Sequence, residues 1–156
     1  MYEGTLREAI HALKFGGCRA MAGPLGDLIA TTVLADRRLR ADVVVPVPLH
    51  ASRYRQRGFN QAELLGHRVA RVLGVPCEGL LRRTHATDAQ SGLSRQGREP
   101  NVHGAFICAG AIAVREVLLI DDVMSTGFTA SECARALRSA GAVEVVVATV
   151  AAAVLS

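Results

Sequence analysis

Val117-Leu-Leu-Ile-Asp-Asp-Val-Met-Ser-Thr-Gly-Phe-Thr129 is the stretch on which the fold turns. Its first four residues are an unbroken apolar run, fit for a strand covered on both faces. Asp121 and Asp122 stand where that strand emerges at its carboxyl end. A glycine-containing segment then leads into a helix from about Ala130 to Ala140, with Ala134 and Leu137 facing inward. Gly141 stops the helix, and Val143 to Val150 supplies another buried strand. Strand, helix, strand is a parallel βαβ unit, so the chain reads as α/β with a central parallel sheet flanked by helices.

Open α/β sheets bind ligands in the crevice above the carboxyl ends of their strands. Neighbouring strand residues point to opposite sides, so only one of Asp121 and Asp122 is expected to face inward. Adjacent like charges repel, and a hydroxyl-rich ligand or a metal ion beside them would relieve the pair. The backbone N–H groups from Met124 to Thr129, with the helix dipole, make a phosphate cradle. Gly127 permits close approach there, and Ser125, Thr126 and Thr129 add hydroxyls. Thr129-x-x-Glu132 also has the spacing of an ordinary capping box, which needs no ligand.

Outward from this stretch, Leu6, Ile10 and Leu13 recur at helical spacing, and a second helical segment runs from Pro24 to about Leu34. Val43-Val44-Val45 reads as a buried strand that Pro46 and Pro48 stop. Asn60 followed by Glu63 caps a helix with Leu65, Val69 and Val72 on one face, closed by Gly74. A short strand is expected near Glu78 to Leu81. Residues 82–103 are polar, a long loop of the kind that is either functional or disordered.

The 156 residues suit one domain spanning 1–156, large enough for a core of its own. The apolar run Val145 to Leu155 is too short to cross a bilayer, and the N-terminus lacks the pattern of a signal peptide. A cytoplasmic location with no membrane partner is the expectation. Cys18, Cys77, Cys108 and Cys133 form no C-x-x-C pair and read as small buried hydrophobes. The five histidines show no metal-ligand spacing. The net charge of +4 rests on arginine, since Lys14 is the sole lysine. The clusters Arg53-Tyr-Arg55-Gln-Arg57, Arg82-Arg83, and Arg95 with Arg98 suit a phosphorylated small molecule or a nucleic acid backbone.

Several ligand-binding classes are disfavoured. A P-loop needs a lysine in a pattern that Lys14 does not provide, and no G-x-G-x-x-G follows a strand. A receiver domain carries its paired acids near its start, whereas here they come late.

The Val117–Thr129 stretch resembles the 5-phosphoribosyl 1-pyrophosphate (PRPP) signature of type I phosphoribosyltransferases. The chain is similar in particular to their ComF and GntX-like branch. Lys14-Phe15, Val45-Pro-Val-Pro-Leu49, Arg57-Gly-Phe-Asn-Gln61, Gln90 with Leu93, and Arg98 with Asn101 and Phe106 carry that resemblance. It implies a parallel sheet with helices on both faces and a small hood from flanking segments. Asp121 and Asp122 would hold the ribose hydroxyls and serve as the catalytic residues, one of the two removing a proton from the nucleophile. Met124, Ser125, Thr126, Gly127, Phe128 and Thr129 would hold the 5′-phosphate. Pro46, Val47, Pro48 and Leu49 would hold pyrophosphate with Arg57, helped by Arg53 and Arg55. Arg83, Gln90, Arg95 and Arg98 would belong to a mobile covering loop. The implied cofactor is Mg²⁺, carried by PRPP beside Asp121 and Asp122. Relatives usually begin with a zinc ribbon, which this chain does not show, and Phe128 replaces a smaller residue of the signature.

Two activities are consistent with this pattern. One is Mg²⁺-dependent displacement of pyrophosphate from ribose C1 by an unidentified acceptor. The other is non-catalytic binding of a nucleotide or single-stranded DNA within competence machinery, as the resemblance implies. Four Phe, two Tyr and no Trp are poor provision for base stacking, which weighs against the second.

Overall fold

The computed structural model describes residues 4–84, 104–113 and 116–152. His85, Gln90, Leu93, Arg95, Arg98, Asn101 and His103 therefore lie outside the described residues. In chain order the helices are Thr5–Phe15 (α1), Ala22–Ala35 (α2), Ala51–Arg57 (α3), Gln61–Leu73 (α4) and Phe128–Ser139 (α5). The strands are Val43–Pro46 (β1), Leu81–Arg83 (β2), Phe106–Cys108 (β3), Glu116–Met124 (β4) and Glu144–Ala152 (β5).

β1, β4 and β5 form a parallel sheet in the order β1-β4-β5, with Val43 opposite Val117 and Val117 opposite Val145. β2 and β3 pair antiparallel as a separate small sheet. The alternation of side chains along each strand divides the interior into two cores. Val44, Leu118 and Ile120 pack with Ile10, Leu13, Ile29, Leu65 and Val69 from α1, α2 and α4. Val43, Val45, Val117 and Leu119 pack on the other face with Cys133 and Leu137 of α5, and with Leu81 and Phe106 of the small sheet. Helices thus cover both faces of a parallel sheet, as the β-branched runs require. None of the described helices is long and apolar enough to cross a membrane.

α2 crosses α4 at close range: a Cβ on Gly26 would lie 2.7 Å from Arg68 Cβ. α4 begins as its sequence directs, with Asn60 Oδ1 accepting from Ala62 N at 3.0 Å and Gly74 closing the helix in the left-handed region.

The structure corrects several expectations. β4 is nine residues long and carries Asp121 and Asp122 within it, because β5 continues to pair as far as Met124 opposite Ala152. Pro46 ends β1 rather than following it. Val72 is exposed, and the buried face of α4 instead includes Ala62, Gly66 and Ala70. The strand expected at Glu78–Leu81 lies slightly later, with only a bridge from Cys77 to Val44 before it. Arg82 and Arg83 consequently belong to β2, not to a loop. Cys133 is buried as expected, but Cys18 is exposed.

Candidate functional site

The register of β4 sends its two acids into different layers. Asp122 follows the side of Leu118 and Ile120, where only 3% of it is exposed. Asp121, half-buried, follows the side of Val117 and Leu119. Each side of the strand is protein, so the expectation that only one acid faces inward is corrected: both do, toward different partners.

Asp122 Oδ1 accepts from Val123 N at 2.7 Å, and Oδ2 forms an ion pair with Lys14 Nζ at 2.8 Å. Lys14 stands in the last turn of α1, where the helix dipole favours a cation. Asp121 Oδ1 accepts from Asp122 N at 2.8 Å. Burial first, and then the charge of Asp122, push the Asp121 carboxyl up to about 7; the Asp122 N–H and Lys14 act in the opposite direction.

Arginines surround the pair. Burial and then the charge of Arg53 lower Arg57 from its ordinary value, against the field of Asp122. Burial and Arg53 lower Arg83 in the same way, against the field of Asp121. Arg53 and Arg57 come from α3, and Arg83 from β2, where its guanidinium lies 5.3 Å from the Phe106 ring centre. Arg53 thus acts on both Arg57 and Arg83, and these two are desolvated, an arrangement that favours a polyanion. Arg55 is exposed.

The Pro46–Leu49 turn is tied down from two sides. Val47 N donates to Ile120 O at 2.9 Å, and Asn60 Nδ2 donates to Val47 O at 3.0 Å. Asn60 is thus both the cap of α4 and the clamp of this turn. Arg57 Nη1 donates to Gln61 Oε1 at 3.1 Å, which holds the guanidinium against the start of α4.

Ser125, Thr126 and Gly127 join β4 to α5. Gly127 is the N-cap at φ 79, and no side chain caps the helix. Ser131 N to Gly127 O, 2.9 Å, is the first bond of α5, so the N–H groups before it project toward the loop. Phe128 is half-buried at the first helical position. The Thr129–Glu132 capping box does not form: Glu132 accepts from Gly104 N at 2.7 Å and pairs with Arg135 at 3.0 Å.

The histidine assignments can be followed at His50. Its Nδ1 accepts from Ser52 N at 3.2 Å and caps α3. Among the described residues no group of three or more His, Cys, Asp or Glu could hold a metal ion. Because the two acids lie on opposite sides of β4 and Asp122 is paired with Lys14, the site would lend an Mg²⁺ no more than the Asp121 carboxylate, which fits an ion that keeps most of its waters.

Of the residues expected at the site, the structure links the Pro46–Leu49 turn to β4 through Val47 N, sets Arg57 in the field of Asp122, and places Arg83 on β2, in the field of Asp121, and not in a covering loop. Sequence reasoning missed Lys14 as the direct partner of Asp122. The available signal was a single lysine at the end of an amphipathic helix.

The chain belongs to the phosphoribosyl transferase domain family, which residues 60–154 match. Within it the chain stands on the ComF-like branch. It is 36% identical over 149 residues to the DNA utilization protein YhgH of Escherichia coli, covering 92% of this chain and 66% of that protein. It is 37% identical over 108 residues to Competence protein F of Haemophilus influenzae, covering 67% of this chain and 47% of that one. The chain therefore spans less than two thirds of either relative. The glutamine PRPP amidotransferase of B. subtilis, a structure complexed with ADP and GMP, superposes with a TM-score of 0.54 at 22% identity, over 81% of this chain and 26% of that one. That likeness carries the fold.

Proposed function

We propose that this chain binds PRPP and transfers its phosphoribosyl group, with loss of pyrophosphate, to an acceptor nucleophile. The observation that carries this reading is the acid pair of β4 set beside Arg53, Arg57 and Arg83 and followed at once by a helix start with no side-chain cap. Asp121 and Asp122 retain lone pairs for the ribose hydroxyls. The loop Met124 to Thr129 receives the 5′-phosphate through backbone N–H groups and hydroxyls. The Pro46–Leu49 turn and Arg57 receive the pyrophosphate, and Arg53 and Arg83 add charge there.

The reaction breaks the C1–O bond to pyrophosphate as the nucleophile approaches C1. Positive charge grows on the ribose ring while negative charge grows on the departing group. The fixed guanidinium groups of α3 and β2 stabilise that departing charge. Mg²⁺ bound with the substrate would supply further positive charge at the pyrophosphate. Asp121, raised to about 7, is suited to exchange a proton with the nucleophile near neutral pH.

The names of the two relatives support a second reading, in which the same site serves DNA handling. Arg53, Tyr54 and Arg55 on the short helix α3 favour it, Tyr54 being 48% exposed. Calorimetric titration of PRPP with Mg²⁺ separates the readings. Binding by the native chain that is lost in Asp121→Asn/Asp122→Asn supports the first. A folded native chain that ignores PRPP, yet binds single-stranded DNA with steep salt dependence, supports the second.

A further inference from the structure

Residues 60–154 match the family, yet the cation paired with Asp122 comes from outside that stretch. Lys14 lies on α1, the first described element, and reaches Asp122 Oδ2 at 2.8 Å with its side chain 21% exposed and that of Asp122 4% exposed. Ile10 and Leu13, both fully buried, seat the helix so that its last turn arrives at the sheet. The next residue, Phe15, has the Arg57 guanidinium 5.1 Å from its ring centre, and Arg57 in turn donates to Gln61. One dipeptide of α1 therefore touches both an acid of β4 and an arginine of the polyanion cluster.

The geometry points to Lys14 as a positioning residue of the PRPP site, acting through Asp122 and, indirectly, through Arg57. This inference rests on the reading proposed above. A nearly buried carboxylate requires a cation. With Lys14 in place, that cation is supplied from α1, and Arg57 is left on Phe15 and Gln61. Without Lys14, Arg57 is the next cation already within the field of Asp122. It would be drawn onto the acid, so the ribose side would lose the set orientation of its carboxylate and the pyrophosphate side would lose a guanidinium. Removal of one lysine should therefore weaken ligands of both halves of PRPP.

The test is calorimetry with Mg²⁺ present, using PRPP, ribose 5-phosphate and pyrophosphate as three separate probes. Lys14→Met should weaken PRPP by about tenfold or more, and ribose 5-phosphate and pyrophosphate each by a smaller factor. Lys14→Arg, which keeps the charge, should recover most of the loss. Arg7→Met, which removes an exposed cation from the same helix, should bind as the native chain does. Should Lys14→Met fail to fold, Lys14→Gln keeps a donor toward Asp122 and is read in the same way. PRPP binding within about twofold of native in a folded Lys14→Met or Lys14→Gln chain overturns the inference and leaves the PRPP reading standing. Loss confined to pyrophosphate also overturns it, since Lys14 would then contact the ligand directly instead of orienting Asp122. A native chain that binds neither PRPP nor ribose 5-phosphate overturns the PRPP reading, and this inference with it.

Discussion

The two faces of the sheet treat the same residue type in opposite ways. On the face covered by α1, α2 and α4, Asp122 is nearly sealed and meets a lysine at 2.8 Å. On the face covered by α5 and the β2–β3 pair, Asp121 has the more distant Arg83 in its neighbourhood, and burial pushes its carboxyl up to about 7. The thiol of Cys133 on that same face is also pushed up, by burial and then by Asp121. Two adjacent acids are thereby assigned different chemistry by strand alternation alone. One is fixed as part of an ion pair, and the other is poised for a proton.

The strongest way to break this contrast is Asp122→Ala. It leaves Lys14 beside a nearly buried space with no carboxylate. Because the ammonium can still turn toward water, a loss of about 2–3 kcal/mol in urea unfolding is expected. Adding Lys14→Met to that variant should return most of the stability. If Asp122→Ala were neutral, the ion pair would be ornamental and the two faces alike.

A smaller effect is expected from Asp121→Asn, and it depends on pH. The folded-state carboxyl sits near 7 against an ordinary 3.8, so between those values the folded chain keeps a proton that the unfolded chain has released. Stability is then greatest below the lower value and falls as pH rises through the upper one. The asparagine variant lacks that fall. At pH 8 it should be more stable than the native chain by on the order of 2 kcal/mol, with the two converging at low pH. Unfolding measured across this window checks the sign. A native chain that grows more stable as the pH rises would contradict the environment assigned to Asp121.

Asn60→Ala tests the same comparison from the edge of the site. It removes the cap of α4 and the clamp on Val47 O together, at a cost of about 1–2 kcal/mol. Affinity for pyrophosphate should fall more than affinity for ribose 5-phosphate, because the clamp holds the Pro46–Leu49 turn and not the acids. Equal losses for both probes would mean that the turn is positioned by β4 alone, through Val47 N.

What the sequence made legible follows the range of the interactions involved. β4, β5, α4 and the loop to α5 are each written in consecutive residues: a β-branched run, a capping asparagine, a closing glycine. The length of β4 was not legible, because pairing past Ile120 is decided by β5 and not by the Asp-Asp dipeptide itself. α3 escaped because Ala51 to Arg57 has no apolar periodicity and begins on a histidine cap. The β2–β3 pair escaped because each strand is three residues long and its partner lies far along the chain. Lys14 was visible as a residue but not as a partner of Asp122, since the two come from opposite ends of the chain and meet only after α1 has docked. The site was readable where it is local, and unread where the two faces bring distant groups to it.

The smallest expected change in stability falls on the loop that leads from β4 into α5, at Gly127. Its φ of 79 places it in the left-handed region, while a Cβ there would touch only Met124 Sδ at 4.0 Å. The cost of Gly127→Ala is therefore conformational and not steric, about 1 kcal/mol. Relief of that strain would rotate the peptide that opens α5, turning its N–H groups away from the phosphate. Binding of ribose 5-phosphate should thus fall by more than stability does, and pyrophosphate binding should be nearly unchanged. Calorimetry of the two probes beside thermal unfolding checks this. Were ribose 5-phosphate to bind unchanged, the 5′-phosphate would have to be held by the hydroxyls of Ser125, Thr126 and Thr129, and triple replacement of those three would become the deciding variant.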